Sequence, residues 1–445
     1  MLKQFEAHFK DLGYTEPTAI QTAVYEPLAG DQNVLGLAPT GSGKTVAFTL
    51  PALANLLPGD GTQLIVLEPS QELAIQTSRV MRDWAKLLDL KVVALTGGAN
   101  VKRQTERLKK RPEVIVGTPG RVLNLVSDRK LKLHLVSLLI VDEADDLLTG
   151  DTLDTVRSIA QDMPADVQLG FFSATDTPIL HELDQWFGQS VTRIDVRQED
   201  NTQGTVRHGL LQVGMGKRDQ MLKRMLAMPN FRALVFFKQA NTLRQTATRF
   251  YHEHMSAASL TSDLRQVQRE KALQDFRLGR TRLLLTTDVA ARGLDIPKLP
   301  AVINYDLPTS VNEYVHRVGR TGRMGEPGQV ISLGDDHDLR DLKKLLKETD
   351  YDLVSLYFSG RTLTTEKPVA VTPKPAATAT PSADATVKTP KAAGKPVAAG
   401  EKPAGKPNTS RAKQEPNPSK KKKHKNRHTK NKGMRKKWRD RDAQQ

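Results

Sequence analysis

From Met1 to about residue 197, short aliphatic and β-branched runs alternate with longer stretches of helical spacing. The runs cover residues 33–37, 63–67, 91–95, 114–116, 138–141, 168–172 and 191–196. They are continuous rather than alternating, as in strands covered on both faces of a parallel sheet. Residues 72–88 and 101–109 have helical spacing, with Val101 and Leu108 two turns apart in the second, which predicts crossover helices. The polar stretch 197–204 (RQEDNTQG) has no period and marks a linker, placed at 198–206. A second set of strands is predicted at 209–213, 233–237, 282–286, 301–305 and 329–333, running to about residue 358. The expected fold class is α/β: two tandem doubly wound parallel-sheet domains, 1–197 and 207–363.

Composition then separates a third region. Of the net charge of +17, residues 364–445 carry +16, with 22 Lys and Arg against 6 Asp and Glu. The last 82 residues contain no Leu, Ile, Phe or Tyr and are rich in Pro, Ala, Lys, Thr and Gly. Such a segment cannot bury enough apolar area to offset its ordering entropy, so a disordered basic tail is expected over 364–445. The first 363 residues are close to neutral. Zero cysteines exclude disulfides, cysteine-ligated zinc, iron–sulfur clusters and thiol nucleophiles, and fit a reducing cytosol. No apolar run of 18 residues occurs, so a soluble, cytoplasmic protein with no membrane partner is expected.

Ala38-Pro39-Thr40-Gly41-Ser42-Gly43-Lys44-Thr45 follows one strand run and precedes a periodic segment, the setting a P-loop requires. Glycines let successive N–H groups turn toward phosphate oxygens, Lys44 supplies a point charge, and Thr45 offers a hydroxyl to Mg²⁺. Another strand run ends in Asp142-Glu143-Ala144-Asp145. Carboxylates there sit on the rim where open α/β sheets bind ligands, so Asp142 is expected to hold Mg²⁺ through water and Glu143 to orient the attacking water.

These residues resemble the DEAD-box family of ATP-dependent RNA helicases, whose name is spelled by Asp142–Asp145. Further matches follow in family order between about residues 13 and 325. Gly13-Tyr14, Pro17-Thr18 and Ile20-Gln21 look like the adenine-reading motif, with Gln21 the residue implied to select ATP. Ser173-Ala174-Thr175, with Asp145 and His316, is implied to couple ATP state to unwinding. Arg320 and Arg323, in His316-Arg317-Val318-Gly319-Arg320-Thr321-Gly322-Arg323, are implied to reach the γ-phosphate across a cleft. The three arginines of that run would lie on or near one face of a helix. Asp288, Gly293 and Asp295 are implied to touch the nucleotide or stiffen the loop beside it. RNA contacts are implied at Gly97, Gly98, Thr118, Pro119, Gly120, Arg121, Gln266, Arg269 and Thr286. The fold the resemblance implies is a RecA-like pair, with ATP and Mg²⁺ as cofactors and structured RNA as partner.

Three positions depart from the family pattern. Gln71 stands where the family usually has Arg, Asp146 stands where a basic residue is common, and with Gly13 so early in the sequence the usual upstream phenylalanine is expected to be missing. The expected function is local RNA unwinding by a monomer whose two domains close on ATP and RNA. By analogy, ribosomal particles and ribosome assembly are its setting. An ATP-gated RNA clamp and a DNA-directed helicase of the wider superfamily remain the alternatives.

Overall fold

The computed structural model describes residues 2–294, 296–323 and 325–367, with the side chain of Gln266 excepted. Asp295, that side chain and the tail from residue 368 therefore lie outside the described residues.

The first lobe is built on β1 (Val34–Leu37), β2 (Leu64–Leu67), β3 (Val92–Leu95), β4 (Val114–Gly117), β5 (Leu138–Val141), β6 (Gln168–Ser173) and β7 (Thr192–Asp195). All pairings are parallel, in the order β3-β4-β2-β5-β6-β1-β7. Alternate side chains feed two cores: Val66 and Ile140 pack with Phe48 and Trp84 on one face, while Ile65 and Leu139 pack with Val122 and Val156 on the other. Both faces are thus covered, which is why these strands read as unbroken apolar runs. β7 is the exception, an edge strand largely open to solvent.

The second lobe contains β8 (Val206–Gln212), β9 (Ala233–Phe237), β10 (Ala257–Leu260), β11 (Leu283–Thr287), β12 (Ala301–Asn304), β13 (Gly328–Gly334), β14 (Leu353–Ser359) and β15 (Thr362–Thr364). Their order is β10-β11-β9-β12-β13-β8-β14-β15, parallel apart from the terminal hairpin. Three of these strands were not legible as runs. β10 (AASL) is made of small residues, and β14 and β15 lie against the sheet edge where the apolar pattern weakens. The hairpin carries regular structure to Thr364, the residue at which the tail was expected to begin.

Two further features depart from expectation. Helix Lys3–Asp11 packs Phe5 edge-on to Trp84, with ring centroids 5.7 Å apart, and so ties the N-terminus to the first core. The segment between β7 and β8 is not a free linker. Gly204 N–H donates to Gly322 O at 2.8 Å, Gly325 N–H donates to Thr202 O at 3.1 Å, and Gln203 bridges Arg323. Among the described residues, no helix is long and apolar enough to cross a membrane.

Register decides where the motifs emerge. Leu37 pairs with Ser173 across β1 and β6, and Val141 pairs with Phe171 across β5 and β6. The chain segments leaving these three strands therefore share one rim, at the carboxyl ends where such sheets take ligands.

Candidate active site

After β1 the backbone turns through Gly41 (φ 91°) and Gly43 (φ 87°) into helix Lys44–Ala54. At Gly43 the left-handed backbone would strain a side chain, and a Cβ there would lie 2.5 Å from the Gln21 amide nitrogen and displace it. Lys44 is buried, and its ammonium donates to the carbonyls of Ala38 at 2.9 Å and Pro39 at 3.1 Å. The hydroxyls of Thr40 and Ser42 are buried without a protein partner. Buried hydroxyls ordinarily find one, so this loop carries polar capacity directed to something other than the protein.

Gln21 sits at the first turn of helix Ala19–Ala29. Its Oε1 accepts from the Thr18 N–H at 3.1 Å, and its Nε2 donates to Gly43 O at 3.4 Å. The amide therefore fastens the adenine-type motif to the P-loop. One N–H and one lone pair remain for a base edge.

At the end of β5, Glu143 adopts a left-handed conformation (φ 48°, ψ 53°) before helix Ala144–Leu147. A non-glycine residue held there stores strain, a recurrent mark of functional sites. The Glu143 N–H donates to Asp142 Oδ1 at 2.9 Å, and Glu143 Oε2 is buried without a partner. Burial, reinforced by the charge of Glu143 and only partly offset by Lys44, pushes the Asp142 carboxyl up to about 7. On the neighbouring strand end lies Glu68, fully buried. Burial and the charge of Asp142 raise its carboxyl well above the usual range, against a hydrogen bond from Thr77 at 2.5 Å. Glu68 belongs to none of the sequence motifs, and its signal is a carboxylate that ends the run Leu64–Leu67 at a strand's carboxyl end. Thr45, in the first turn of helix Lys44–Ala54, and Asp142, at the end of β5, offer a hydroxyl and a carboxylate, oxygen donors of the hard kind that suits Mg²⁺.

Asp145 turns toward the other lobe. Its Oδ2 accepts from Thr175 Oγ1 and from His316 Nε2, the latter at 2.7 Å. Ser173 Oγ accepts from the Thr175 N–H at 3.1 Å and donates to Thr175 O at 2.7 Å. Burial would raise the Asp145 carboxyl, but the hydrogen bond and charge of His316, together with Thr175, hold it down at about 2. His316 moves the opposite way: its burial disfavours charge, yet Asp145, Glu143 and Asp146 together raise it above the ordinary imidazole value. The four residues expected to couple the lobes are thus brought into one hydrogen-bonded group.

The rest of the second lobe's contribution is arranged differently from the sequence pattern. Helix Val311–Val318 ends before Arg320, so the three arginines share no helix face. Arg317 points inward and grips Asp288 bidentately, at 2.6 and 2.7 Å, with Asn304 Oδ1 at 3.0 Å. Asp288 is therefore held by Arg317 as well as half-exposed to the cleft. Arg320 is buried and donates to Leu294 O at 3.1 Å. Arg323 lies against the P-loop: a Cβ on Gly41 would lie 3.4 Å from its Cγ. Gly319 packs directly on Thr40, leaving no room for a side chain.

A second set of interlobe contacts lies beside helix Gln71–Ala85. Arg269, expected at the RNA, is buried and pairs with Glu72 Oε1 of the first lobe at 2.7 Å. It also donates to Thr261 O at 2.8 Å and Ala290 O at 3.2 Å. Gly293, expected at the nucleotide, instead lies against Ser70 and Leu73, and Ser70 Oγ donates to Arg292 O at 3.2 Å. The departure at Asp146 has a counterpart here, since Arg292 Nη2 donates to Asp146 Oδ1 at 3.0 Å. Thr286 is buried near the end of β11, and its hydroxyl donates to Thr287 O at 3.2 Å. Among the other expected RNA residues, Gly97 and Gly98 form a turn against the Gln71 amide, which would lie 3.2 Å from a Cβ on Gly97. Arg121 braces that turn from helix Pro119–Ser127, donating to Ala99 O at 3.3 Å. Thr118 precedes that helix, and Pro119 and Gly120 form its first turn.

Comparison with known proteins agrees with this geometry. Residues 18–183 match the family model of the DEAD/DEAH box helicase, and residues 217–325 match that of the helicase conserved C-terminal domain. The chain is 36% identical over 355 residues to the probable ATP-dependent RNA helicase YfmL of Bacillus subtilis, covering 80% of this chain and 94% of that protein. It is 33% identical over 368 residues to the DEAD-box ATP-dependent RNA helicase CshC of Bacillus cereus, covering 82% and 94%. Among solved structures, S. cerevisiae Dbp5 bound to RNA and ADP BeF3 superimposes with a TM-score of 0.71 at 27% identity, covering 80% of this chain and 94% of that one. Two family-model matches and relatives above 30% identity over four-fifths of the chain, on a structure that carries a phosphate loop, the DEAD carboxylates and a facing arginine segment, leave one assignment: this chain belongs to the DEAD-box family of ATP-dependent RNA helicases.

Proposed function

We propose that the chain is an RNA-stimulated ATPase that separates short RNA duplexes by closing its two lobes, with the ATP site completed only in the closed arrangement. The observation that carries this reading is the seam itself, where Thr40 meets Gly319 and Asp145 meets His316. Hydrolysis and RNA grip then depend on one geometry, and each ligand favours closure through its differential affinity for that state.

ATP would lie along the P-loop, with backbone N–H groups, Lys44 and the Thr40 and Ser42 hydroxyls meeting its phosphates and Gln21 meeting adenine. Mg²⁺, held by Thr45 and Asp142, would neutralise phosphate charge when bound. Glu143 orients a water and accepts its proton as the water oxygen attacks the γ-phosphorus, and the bond to the ADP oxygen breaks. Arg323 and Arg320 stabilise the charge that develops on the phosphoryl oxygens. Asp145, Thr175 and His316 hold the lobes in register while this happens. RNA would lie across the Gly97-Gly98 turn, Thr118 and Arg121, read through its backbone rather than its bases. The Dbp5 likeness supports this, being solved with RNA and ADP BeF3. A monomer acting in the cytoplasm, with structured RNA of ribosomal particles among its targets, is the setting that fits the family and the basic tail.

The test is RNA-stimulated ATP turnover alongside strand displacement on one short duplex. Lys44→Ala and Glu143→Gln abolish both activities, while Glu143→Gln still binds ATP. Robust turnover in Glu143→Gln would refute the role given to that carboxylate. Slow nucleotide-dependent RNA release without displacement would favour a clamp.

A further inference from the structure

Residues 101–111 (VKRQTERLKKR) carry six basic residues and one acidic residue, in a core whose whole net charge is about +1. They form helix Val101–Leu108 and the turn after it, starting three residues beyond Gly98. Lys102, Arg103, Arg107, Lys109, Lys110 and Arg111 are all exposed. Among the described residues, none of the six makes an ion pair, whereas Lys86, Lys130, Arg193, Arg244 and Arg280 on the same molecule each hold an acidic partner.

The surface is fixed in place. Gln104 is buried and donates to Thr96 O at 2.9 Å, which pins the helix to the chain leaving β3. Asn100 Oδ1 accepts from the Arg103 N–H at 3.3 Å and caps the helix, and Arg121 holds Ala99 from the other side. Beside edge strand β3, Arg107 and Arg82 line the same recess with Val92, Val93 and Ala94. Two like charges facing one recess repel each other unless an anion sits between them. Clustered cations without acidic partners, two of them facing one recess, are the electrostatic footprint of a phosphodiester backbone.

We propose that helix Val101–Leu108, together with Arg82, Lys109 and Lys110, is an accessory RNA-backbone site that receives the strand or duplex flank leaving the Gly97-Gly98 turn. The proposal rests on the reading of that turn as an RNA contact. It gives the neutral core its own electrostatic grip, separate from the basic tail, and directs flanking RNA along edge strand β3 rather than into solvent. Contacts of this kind position RNA without reading sequence.

The experiment uses the full chain loaded with ADP and beryllium fluoride. Binding is measured across a salt series for two RNAs, a minimal single strand that fills the seam and the same strand with long flanks at both ends. The triple variant Lys102→Gln/Arg103→Gln/Arg107→Gln is compared with the parent. On the flanked RNA, affinity should fall and the log–log salt slope should become shallower by about 2, at roughly 0.7 for each phosphate no longer neutralised. On the minimal strand, affinity should not change, and ATP turnover at saturating RNA should hold. The tail contributes equally to both proteins, so the difference isolates the helix. Reversal by Lys102→Glu/Arg103→Glu should deepen the loss, and unchanged thermal melting shows that either variant still folds. Flanked-RNA affinity and slope that match the parent would overturn the proposal, as a surface serving a protein partner would give. Failure of the turn reading appears separately, as minimal-strand binding indifferent to Gly98→Val.

Discussion

Removing the imidazole in His316→Ala should uncouple the two lobes more than it weakens either ligand alone. His316 Nε2 and Asp145 Oδ2 are 2.7 Å apart, and their side chains are 17% and 1% exposed. A charge-assisted hydrogen bond with that little solvent access contributes about 1.5–3 kcal/mol. Its loss also leaves a buried carboxylate with the hydroxyls of Thr175 and Ser173 in place of a charged partner. The closed state should therefore lose roughly tenfold to a hundredfold in population relative to the open one. The assay is fluorescence anisotropy of labelled RNA with and without ADP and beryllium fluoride, the ratio of the two affinities giving the coupling. Thr175→Ala and the double variant complete a cycle, and since both side chains act on one carboxylate the two effects should not add. The pH dependence supplies a second arm. His316 is raised when the lobes meet, so its contribution is fully present below the ordinary histidine value near 6.5 and is lost as pH rises through the raised one. Asp145, held at about 2, stays ionised throughout that window. Coupling should thus weaken toward alkaline pH in the parent and be flat in His316→Ala. A coupling ratio within about twofold of the parent, with an unchanged pH profile, would refute the reasoning.

Three other outcomes follow from the geometry. Gly319→Val places a side chain into Thr40 at the seam, so RNA-stimulated turnover should collapse while nucleotide binding to the first lobe persists, as measured with a fluorescent ADP analogue. Because the Asp142 carboxyl is pushed up to about 7 and must ionise to hold a divalent cation, Mg²⁺-dependent nucleotide affinity should rise between pH 6 and pH 8; equal affinity at both would contradict it. Gln71→Arg, beside Gly97, replaces a neutral donor by a charged one, so RNA should bind about fivefold tighter with a salt slope steeper by roughly 0.7. An unchanged slope would mean that position 71 meets no phosphate.

The ATP site was legible because its chemistry is local. The P-loop and the DEAD tetrapeptide each occupy a few consecutive residues, and strand runs on their N-terminal side predict the rim from which both emerge. Central strands were legible for the same reason, since two-sided burial writes an unbroken apolar run. Edge elements were not: β10 offers only small residues, and β14 and β15 are half-covered. The N-terminal helix was missed because its evidence, Phe5 and Phe9 against Trp84, lies some eighty residues away in the chain.

Composition and order of residues alone determined the α/β class, the phosphate chemistry, the carboxylate pair and the charge division between a neutral core and a basic tail. Such properties belong to short segments or to sums over long ones, and neither needs a third dimension. Only tertiary structure decided what each cation does. Arg317, Arg320 and Arg323 look equivalent in the sequence, yet one grips Asp288, one is buried beside Leu294 and one meets the P-loop. Arg269 finds Glu72 across 197 residues, and His316 finds Asp145 across 171. A charged side chain takes its role from the partner that replaces its water, and that partner is chosen by packing between lobes, which no local pattern encodes.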